Sequence, residues 1–185
     1  EFLSIIIKSI RLDKSLYSNN KNFGEASIYF AVSIILIGSI ISIIPNSSFL
    51  NYMSLNFNLG QVKGPSLKAI IISSFIMWVF KSIYLYFVGV VLFPNKKTKC
   101  NFRKILILVA FAQSPLLLNF IVFNQNLLFF IIVTYVWYNV SLIIGLNIIL
   151  NYENYIKTTL ISLAPQIIFI LYILSLFQEN SNMLS

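Results

Sequence analysis

The chain has 185 residues, of which 58% are hydrophobic and only 10% charged, with a mean hydropathy of +0.87 and a formal net charge of +8. A soluble domain carries about 25% charged residues, so this composition excludes an ordinary soluble domain and indicates one membrane domain. There is no histidine, and Cys100 is the one cysteine, which excludes an internal disulfide and a metal site of the Cys/His type. We expect no cofactor.

The first 26 residues form a cytoplasmic segment in this interpretation. Over residues 2–17, four apolar side chains share one helical face and three basic side chains fall mostly on the other. This pattern predicts an amphipathic helix that lies in the inner membrane interface, with its bases toward lipid phosphates. The apolar face consists of Leu3, Ile6, Ile7 and Ile10, and the basic residues are Lys8, Arg11 and Lys14.

Five long apolar runs follow, and each is near the ~20 residues that an α-helix needs to cross a bilayer. The runs are 27–44, 67–93, 105–123, 127–150 and 158–177. We therefore predict an all-α polytopic integral membrane protein with five transmembrane helices in residues 27–177, preceded by the interfacial helix. Residues 178–185 form a polar C-terminal tail.

Most basic residues occupy alternate gaps between the apolar runs: before the first run, between the second and third, and between the fourth and fifth. The other side keeps Lys63, and Lys68 at the start of the second run. This distribution predicts a cytoplasmic N-terminus and a C-terminus on the opposite side. Because these gaps are short, the bases indicate contacts with anionic phospholipid rather than with nucleic acid. The bases of the middle gap are Lys96, Lys97, Lys99, Arg103 and Lys104.

A few polar residues lie inside the runs. Lys81 is near the middle of the second run, where a charge costs about 2.5–3.5 kcal/mol on insertion scales, so it is a candidate functional residue. It has no acidic partner in any run, which leaves tyrosines, Gln113, Asn139 or freed carbonyls as partners. The alternatives are that Lys81 snorkels or lies in a shorter or tilted helix. Asn139, Ser141 and Asn147 predict hydrogen bonds between helices.

Two prolines lie inside runs, Pro115 and Pro165, and each predicts a helix kink. A helix proline displaces the carbonyl four residues earlier, here those of Phe111 and Ile161, and these carbonyls need new partners in lipid. The kinks either shape the helix bundle or, with the adjacent Gln113 and Gln166, line a polar cavity.

The sequence offers little for an enzyme. No acid or histidine lies in a run, and Ser114 has no base unless Lys81 provides one in a Ser–Lys dyad. We expect a non-enzymatic protein.

Two stretches, residues 78–118 and 135–165, resemble the Ypt-interacting protein (Yip) family, and most of all its bacterial, alphaproteobacterial-type branch. The pattern extends over roughly residues 3–175. The residues that match it are Tyr86, Gly89, Leu92, Phe93, Thr98, Arg103 or Lys104, Phe111, Ala112, Pro115, Trp137, Leu150, Asn151, Tyr152 and Lys157. The resemblance implies a five-span membrane protein of the bacterial inner membrane or a related organelle membrane. Eukaryotic members bind Rab-type GTPases and help to shape or sort membranes.

These observations favour a membrane-organising or scaffold protein that binds anionic lipid and other membrane proteins, or forms a homo-oligomer. Two alternatives remain open from the sequence. The chain could be an accessory subunit of a larger membrane complex, or a carrier of small solutes or ions with Lys81 and Gln113 on its path.

Overall fold

The computed structural model describes residues 1–42, 66–95, 98, 100–121, 128–152 and 154–182, and all regular elements in these residues are helical. The α-helices are α1 Phe2–Ile10, α2 Ser15–Ser18, α3 Ala26–Ile41, α4 Leu67–Tyr86, α5 Phe102–Ala112, α6 Leu128–Ile149 and α7 Tyr155–Asn182. Two 3-10 helices, Asn20–Phe23 and Ser114–Ile121, and one π-helix, Phe87–Leu92, complete the elements.

Three helical stretches are long and apolar enough to cross a membrane. They are Leu67–Leu92, Phe102–Phe120 and Phe129–Ile149, and they correspond to the second, third and fourth predicted spans. The first predicted span contains the shorter apolar helix α3, and the fifth lies within α7. The all-helical class is thus confirmed, and the three helices are consistent with a membrane protein. The count of five spans and their orientation stay predictions.

The third predicted span lies at the centre of the bundle. Within its most apolar window 61% of the residues are buried, against 22% and 39% in the second and fourth. Seven residues of α5, Ile105 and Ile107 through Ala112, are fully buried. The helices α3, α4 and α6 pack around α5, and the Trp78 indole on α4 donates to the Leu106 carbonyl oxygen at 2.9 Å.

The N-terminal helix predicted over residues 2–17 is interrupted. Helix α1 ends at Ile10, because Leu12 takes a left-handed conformation with φ 55°. The amide of Asp13 then donates to the Lys8 carbonyl and that of Leu12 to the Ser9 carbonyl, which is the Schellman arrangement of a helix end. An Asp13 carboxylate oxygen accepts from the Ser15 amide at 2.8 Å before α2 begins.

Helix α1 also packs against the bundle, by a face that the sequence did not indicate. Ile5 and Ser9 are buried, while Leu3 and Ile7 of the predicted apolar face are exposed. The helix packs on α5, α6 and the 3-10 helix Ser114–Ile121. Residues 1–23, which we call the N-terminal segment, are therefore part of the folded bundle rather than only a helix laid beside it.

Candidate functional site

The basic end of the bundle is the end where α5 begins with Arg103 and Lys104. Asn101 caps this helix, because its side-chain oxygen accepts from the Lys104 amide at 3.1 Å. A helix N-terminus carries a partial positive charge, so two cations in this turn make the region strongly attractive to anions. The Arg103 guanidinium also donates to the Gly24 carbonyl oxygen at 3.1 Å, which ties α5 to the chain just before α3.

A cavity of about 370 Å³ opens beside Lys104 at this end. Its lining combines hydrophobic side chains with polar and cationic ones, as expected where a headgroup meets a bilayer interior. The lining residues are Tyr17, Ser18, Phe23, Lys104, Ile148, Ile149 and Asn151. The cavity is therefore shared between the N-terminal segment, α5 and the end of α6.

The remaining bases of the predicted lipid-binding loop, Lys96, Lys97 and Lys99, lie outside the described residues. Cys100 lies between these lysines and α5. Burial raises the pKa of its thiol to about 11, while the charge of Lys104 opposes this shift. The thiol is thus protonated at neutral pH and is not poised as a nucleophile.

Tyr152 joins α6 and α7 to the π-helix at the same end. Its hydroxyl lies 2.6 Å from the Gly89 carbonyl oxygen and 2.7 Å from that of Phe93, and it can donate to either. Lys157 donates to the Phe93 carbonyl oxygen at 2.9 Å, and its Nζ lies 4.4 Å from the centre of the Tyr152 ring. Gly89 allows Leu150 to pack closely here, since a Cβ at Gly89 would lie 2.8 Å from a Leu150 methyl carbon.

Two polar side chains from the loop after the π-helix complete this junction. The Thr98 hydroxyl donates to the Leu150 carbonyl oxygen at 2.7 Å, and the Asn95 amide donates to that of Asn151 at 2.6 Å. Asn151 takes a left-handed conformation with φ 51°, which ends α6 and turns the chain toward α7. Residues that match the family pattern, from three separate stretches of the chain, thus meet at this junction.

A chain of buried hydroxyls surrounds the point where α5 ends. Ser9 and Ser114 both donate to the Phe111 carbonyl oxygen, at 2.6 Å and 2.8 Å. The Ser141 hydroxyl lies 3.3 Å from that of Ser9 and 2.7 Å from that of Tyr17. If Tyr17 donates to Ser141 and Ser141 to Ser9, every hydroxyl in this chain has an acceptor. The hydroxyl chain therefore fastens the N-terminal segment to the third and fourth predicted spans.

The structure places Lys81 against an aromatic ring. Its Nζ lies 4.5 Å from the centre of the Tyr138 ring on α6, a tyrosine partner of the kind predicted from the sequence. A cation over a ring face is attracted by the ring quadrupole, but its charge is not neutralised. Ser114 instead bonds to Phe111, so the described residues contain no hydrogen bond that would form a Ser114–Lys81 dyad.

The other intramembrane candidates occupy separate places. Asn139 accepts from the Gln166 side chain on α7 at 3.0 Å, and the Asn147 side chain donates to the Thr158 hydroxyl at 3.2 Å. Together with Ser141, these contacts confirm the predicted hydrogen bonds between elements. Gln113 lines a second cavity of about 150 Å³, which it shares with α3, α4 and Asn119.

Two buried polar groups in the described part of the bundle lack a hydrogen-bond partner, the Trp137 indole nitrogen and the Ser162 hydroxyl. Sequence reasoning also missed Ser9 and Tyr17, and it did not predict the contact that Thr98 makes. The only signal for Ser9 and Tyr17 was their position between apolar residues of a segment that was expected to face lipid. Thr98 was noticed through the family resemblance, but nothing in the sequence indicated that it would bond to Leu150.

Comparison of the chain with protein-family models, with curated proteins and with solved structures gave no match.

Proposed function

We propose that this is a non-enzymatic five-span membrane protein that organises the bilayer around it by holding anionic phospholipid at its basic end and by binding other membrane proteins. The observation that carries the lipid part is the placement of Arg103 and Lys104 in the first turn of α5, beside a cavity with both polar and apolar walls. A phospholipid offers a phosphate for the cations and acyl chains for the apolar wall.

The contacts of Arg103 support this assignment. Its hydrogen bond to Gly24 O orders the segment that precedes α3, so that the basic end is built from several parts of the chain. Each base near an anionic membrane surface contributes about 1 kcal/mol. Lys96, Lys97 and Lys99 belong to the same proposed site through their position in the sequence. A cytoplasmic orientation of this end agrees with the positive-inside pattern.

We further propose that the chain belongs to the Yip family and lies in a bacterial inner membrane. Its support is that Gly89, Phe93, Tyr152 and Lys157, which match the family pattern, contact one another at the basic end. Two further matching residues, Thr98 and Leu150, are joined by a hydrogen bond at the same place. A carrier receives less support, because Lys81 packs against the Tyr138 ring and does not line the cavity that contains Gln113.

The test is retention of lipid by the full chain. Protein extracted in mild detergent is incubated with equal amounts of phosphatidylglycerol and phosphatidylcholine, and the retained lipids are measured by native mass spectrometry. We expect preferential retention of phosphatidylglycerol. Since two bases together contribute about 2 kcal/mol, Arg103→Gln with Lys104→Gln should lower that preference at least tenfold.

The matched control is Lys68→Gln, because Lys68 lies exposed in the first turn of α4, far along the chain from the basic end. It should leave the preference unchanged. Equal retention of the two lipids by the unmodified protein, or a preference that survives the Arg103/Lys104 substitutions, would remove the lipid part of the proposal.

A further inference from the structure

Lys81 lies deep in the longest described span. The helix α4 and the π-helix together cover Leu67–Leu92, 26 residues. At 1.5 Å per residue, the Lys81 backbone is about 21 Å from the first residue and about 16 Å from the last. With a hydrocarbon core of about 30 Å centred on this helix, the Lys81 backbone lies about 2 Å from the midplane. The four-carbon stem of a lysine does not reach either interface from there, so the ammonium group stays within the hydrocarbon layer.

The contacts of Lys81 leave its charge uncompensated. The Tyr138 ring is its neighbour, and among the described residues Lys81 makes neither an ion pair nor a hydrogen bond. The chain has five acidic residues, and none of them lies in the five apolar runs. They are Glu1, Asp13, Glu25, Glu153 and Glu179. A second copy of this chain therefore brings no carboxylate to the depth of Lys81.

The surface around Lys81 has the spacing of a helix-packing seam. Met77, Lys81, Tyr84 and Val88 follow one another at intervals of four, three and four residues, which places them in one stripe along the helix. Met77 is 64% exposed, and the other three are partly exposed. We call these four residues the Lys81 stripe. The stripe borders the packed face of α4, where Trp78, Ser82 and Leu85 are buried.

We propose that the Lys81 stripe binds a transmembrane helix of another protein that carries an aspartate or glutamate at the same depth. The carboxylate would pair with the Lys81 ammonium group, and the Tyr138 ring would cover the pair on the side of α6. In hydrocarbon, where no water competes, such a pair satisfies both charges. The inference rests on the part of the proposed function that concerns other membrane proteins, and it does not require the lipid site.

The probe is a synthetic transmembrane helix of leucine and alanine with one central aspartate and a terminal dansyl group. The full-length chain is reconstituted in phosphatidylcholine vesicles, and energy transfer from its tryptophans, Trp78 and Trp137, to the dansyl group is measured as the peptide fraction increases. A peptide with asparagine in place of the aspartate has the same shape without the charge. We expect half-maximal transfer at a peptide fraction at least tenfold lower for the aspartate peptide.

Lys81→Met should abolish the difference between the two peptides, because methionine keeps an unbranched side chain of similar length but has no charge. Lys68→Met, at an exposed lysine of the same helix, should preserve it. Lys81→Glu paired with a peptide carrying a central lysine should restore strong transfer. Equal transfer by the two peptides on the unmodified chain overturns the inference, and this comparison requires no variant to fold.

The two proposals fail separately. Arg103→Gln with Lys104→Gln should leave the aspartate-peptide transfer unchanged while lowering retention of anionic lipid. Lys81→Met should do the opposite. If Lys81→Met binds the aspartate peptide as tightly as the unmodified chain, the Lys81 stripe is not the binding surface, whatever the lipid measurement gives.

Discussion

The two prolines inside the predicted spans, Pro115 and Pro165, share a sequence pattern but not a structure. Before Pro115, the α-helix ends at Ala112 and continues as the 3-10 helix Ser114–Ile121. Pro165 instead lies inside the continuous helix α7. The Phe111 carbonyl, which Pro115 displaces, accepts hydrogen bonds from two buried serines, whereas the Ser162 hydroxyl near Pro165 is buried without a partner.

The difference shows that a helix break depends on what surrounds the proline as well as on the proline itself. At Pro115, Ser114 supplies one donor from the next turn and Ser9 supplies another from a helix 102 residues earlier in the chain. A freed carbonyl with two donors can remain outside the α-helical hydrogen-bond ladder. The following predictions test whether the hydroxyls, rather than the prolines, account for the contrast.

The largest effect is expected from Ser9→Ala combined with Ser114→Ala. The double variant removes both side-chain donors from the Phe111 carbonyl and leaves it only a backbone N–H at the end of α5. Each lost hydrogen bond contributes about 1 kcal/mol. Because the contact between Ser9 and Ser141 is also lost, we expect the free energy of unfolding in mixed detergent–SDS micelles to fall by about 2–4 kcal/mol. A loss of less than about 0.5 kcal/mol would mean that the hydroxyls do not hold the break.

Pro165→Ala should act in the opposite direction. Alanine restores the amide that can donate to the Ile161 carbonyl, and α7 is already helical on both sides of this position. We expect a stabilisation of about 1–3 kcal/mol in the same SDS titration. Destabilisation would show instead that the contact between Gln166 and Asn139 needs the local geometry that proline imposes.

Tyr17→Phe removes the first donor of the hydroxyl chain and keeps the ring. The Tyr17 ring packs where Gly145 allows close approach, since a Cβ at Gly145 would lie 3.1 Å from it. We therefore expect the free energy of unfolding in the same SDS titration to fall by about 1 kcal/mol, the contribution of one hydrogen bond. Helix α2 should remain in place. Protection of residues 15–18 from proteolysis measures this placement, and rapid cleavage there would contradict the prediction.

Ser162→Ala should have the smallest effect. Its hydroxyl has no hydrogen-bond partner and its side chain is fully buried, so alanine removes a desolvated polar group. We expect a change in the free energy of unfolding between zero and about 1 kcal/mol of stabilisation. Ser162→Ala is the matched control for Ser9→Ala. If both substitutions lowered the free energy of unfolding by a similar amount, the two proline regions would not differ in the way proposed.

Sequence reasoning identified the long helices, because a run of about 20 apolar residues has few other physical solutions. It also identified Phe111 as a carbonyl in need of a partner, since the effect of Pro115 is local. It could not identify the donor, because Ser9 lies 102 residues away and was assigned to a segment that was expected to contact lipid.

The face of α1 that packs on protein was not predicted, for a related reason. The periodic apolar residues Leu3 and Ile7 mark a surface that suits lipid, and they are exposed. The face that packs on protein contains a serine, Ser9, so hydropathy alone indicates that this face is less suited to burial. For Lys81, composition narrowed the partner to a small set of polar groups, and only the placement of α4 relative to α6 could select Tyr138.

The bond between Tyr17 and Ser141 joins residues 124 positions apart. Chains are synthesised from the N-terminus at about 5–20 residues per second, so roughly 6–25 s separate the appearance of Tyr17 from that of its partner. During that interval the early hydroxyls must find temporary acceptors in water or at the lipid surface. The N-terminal segment therefore takes its final position late in biogenesis, after the helix that carries Ser141 has been made.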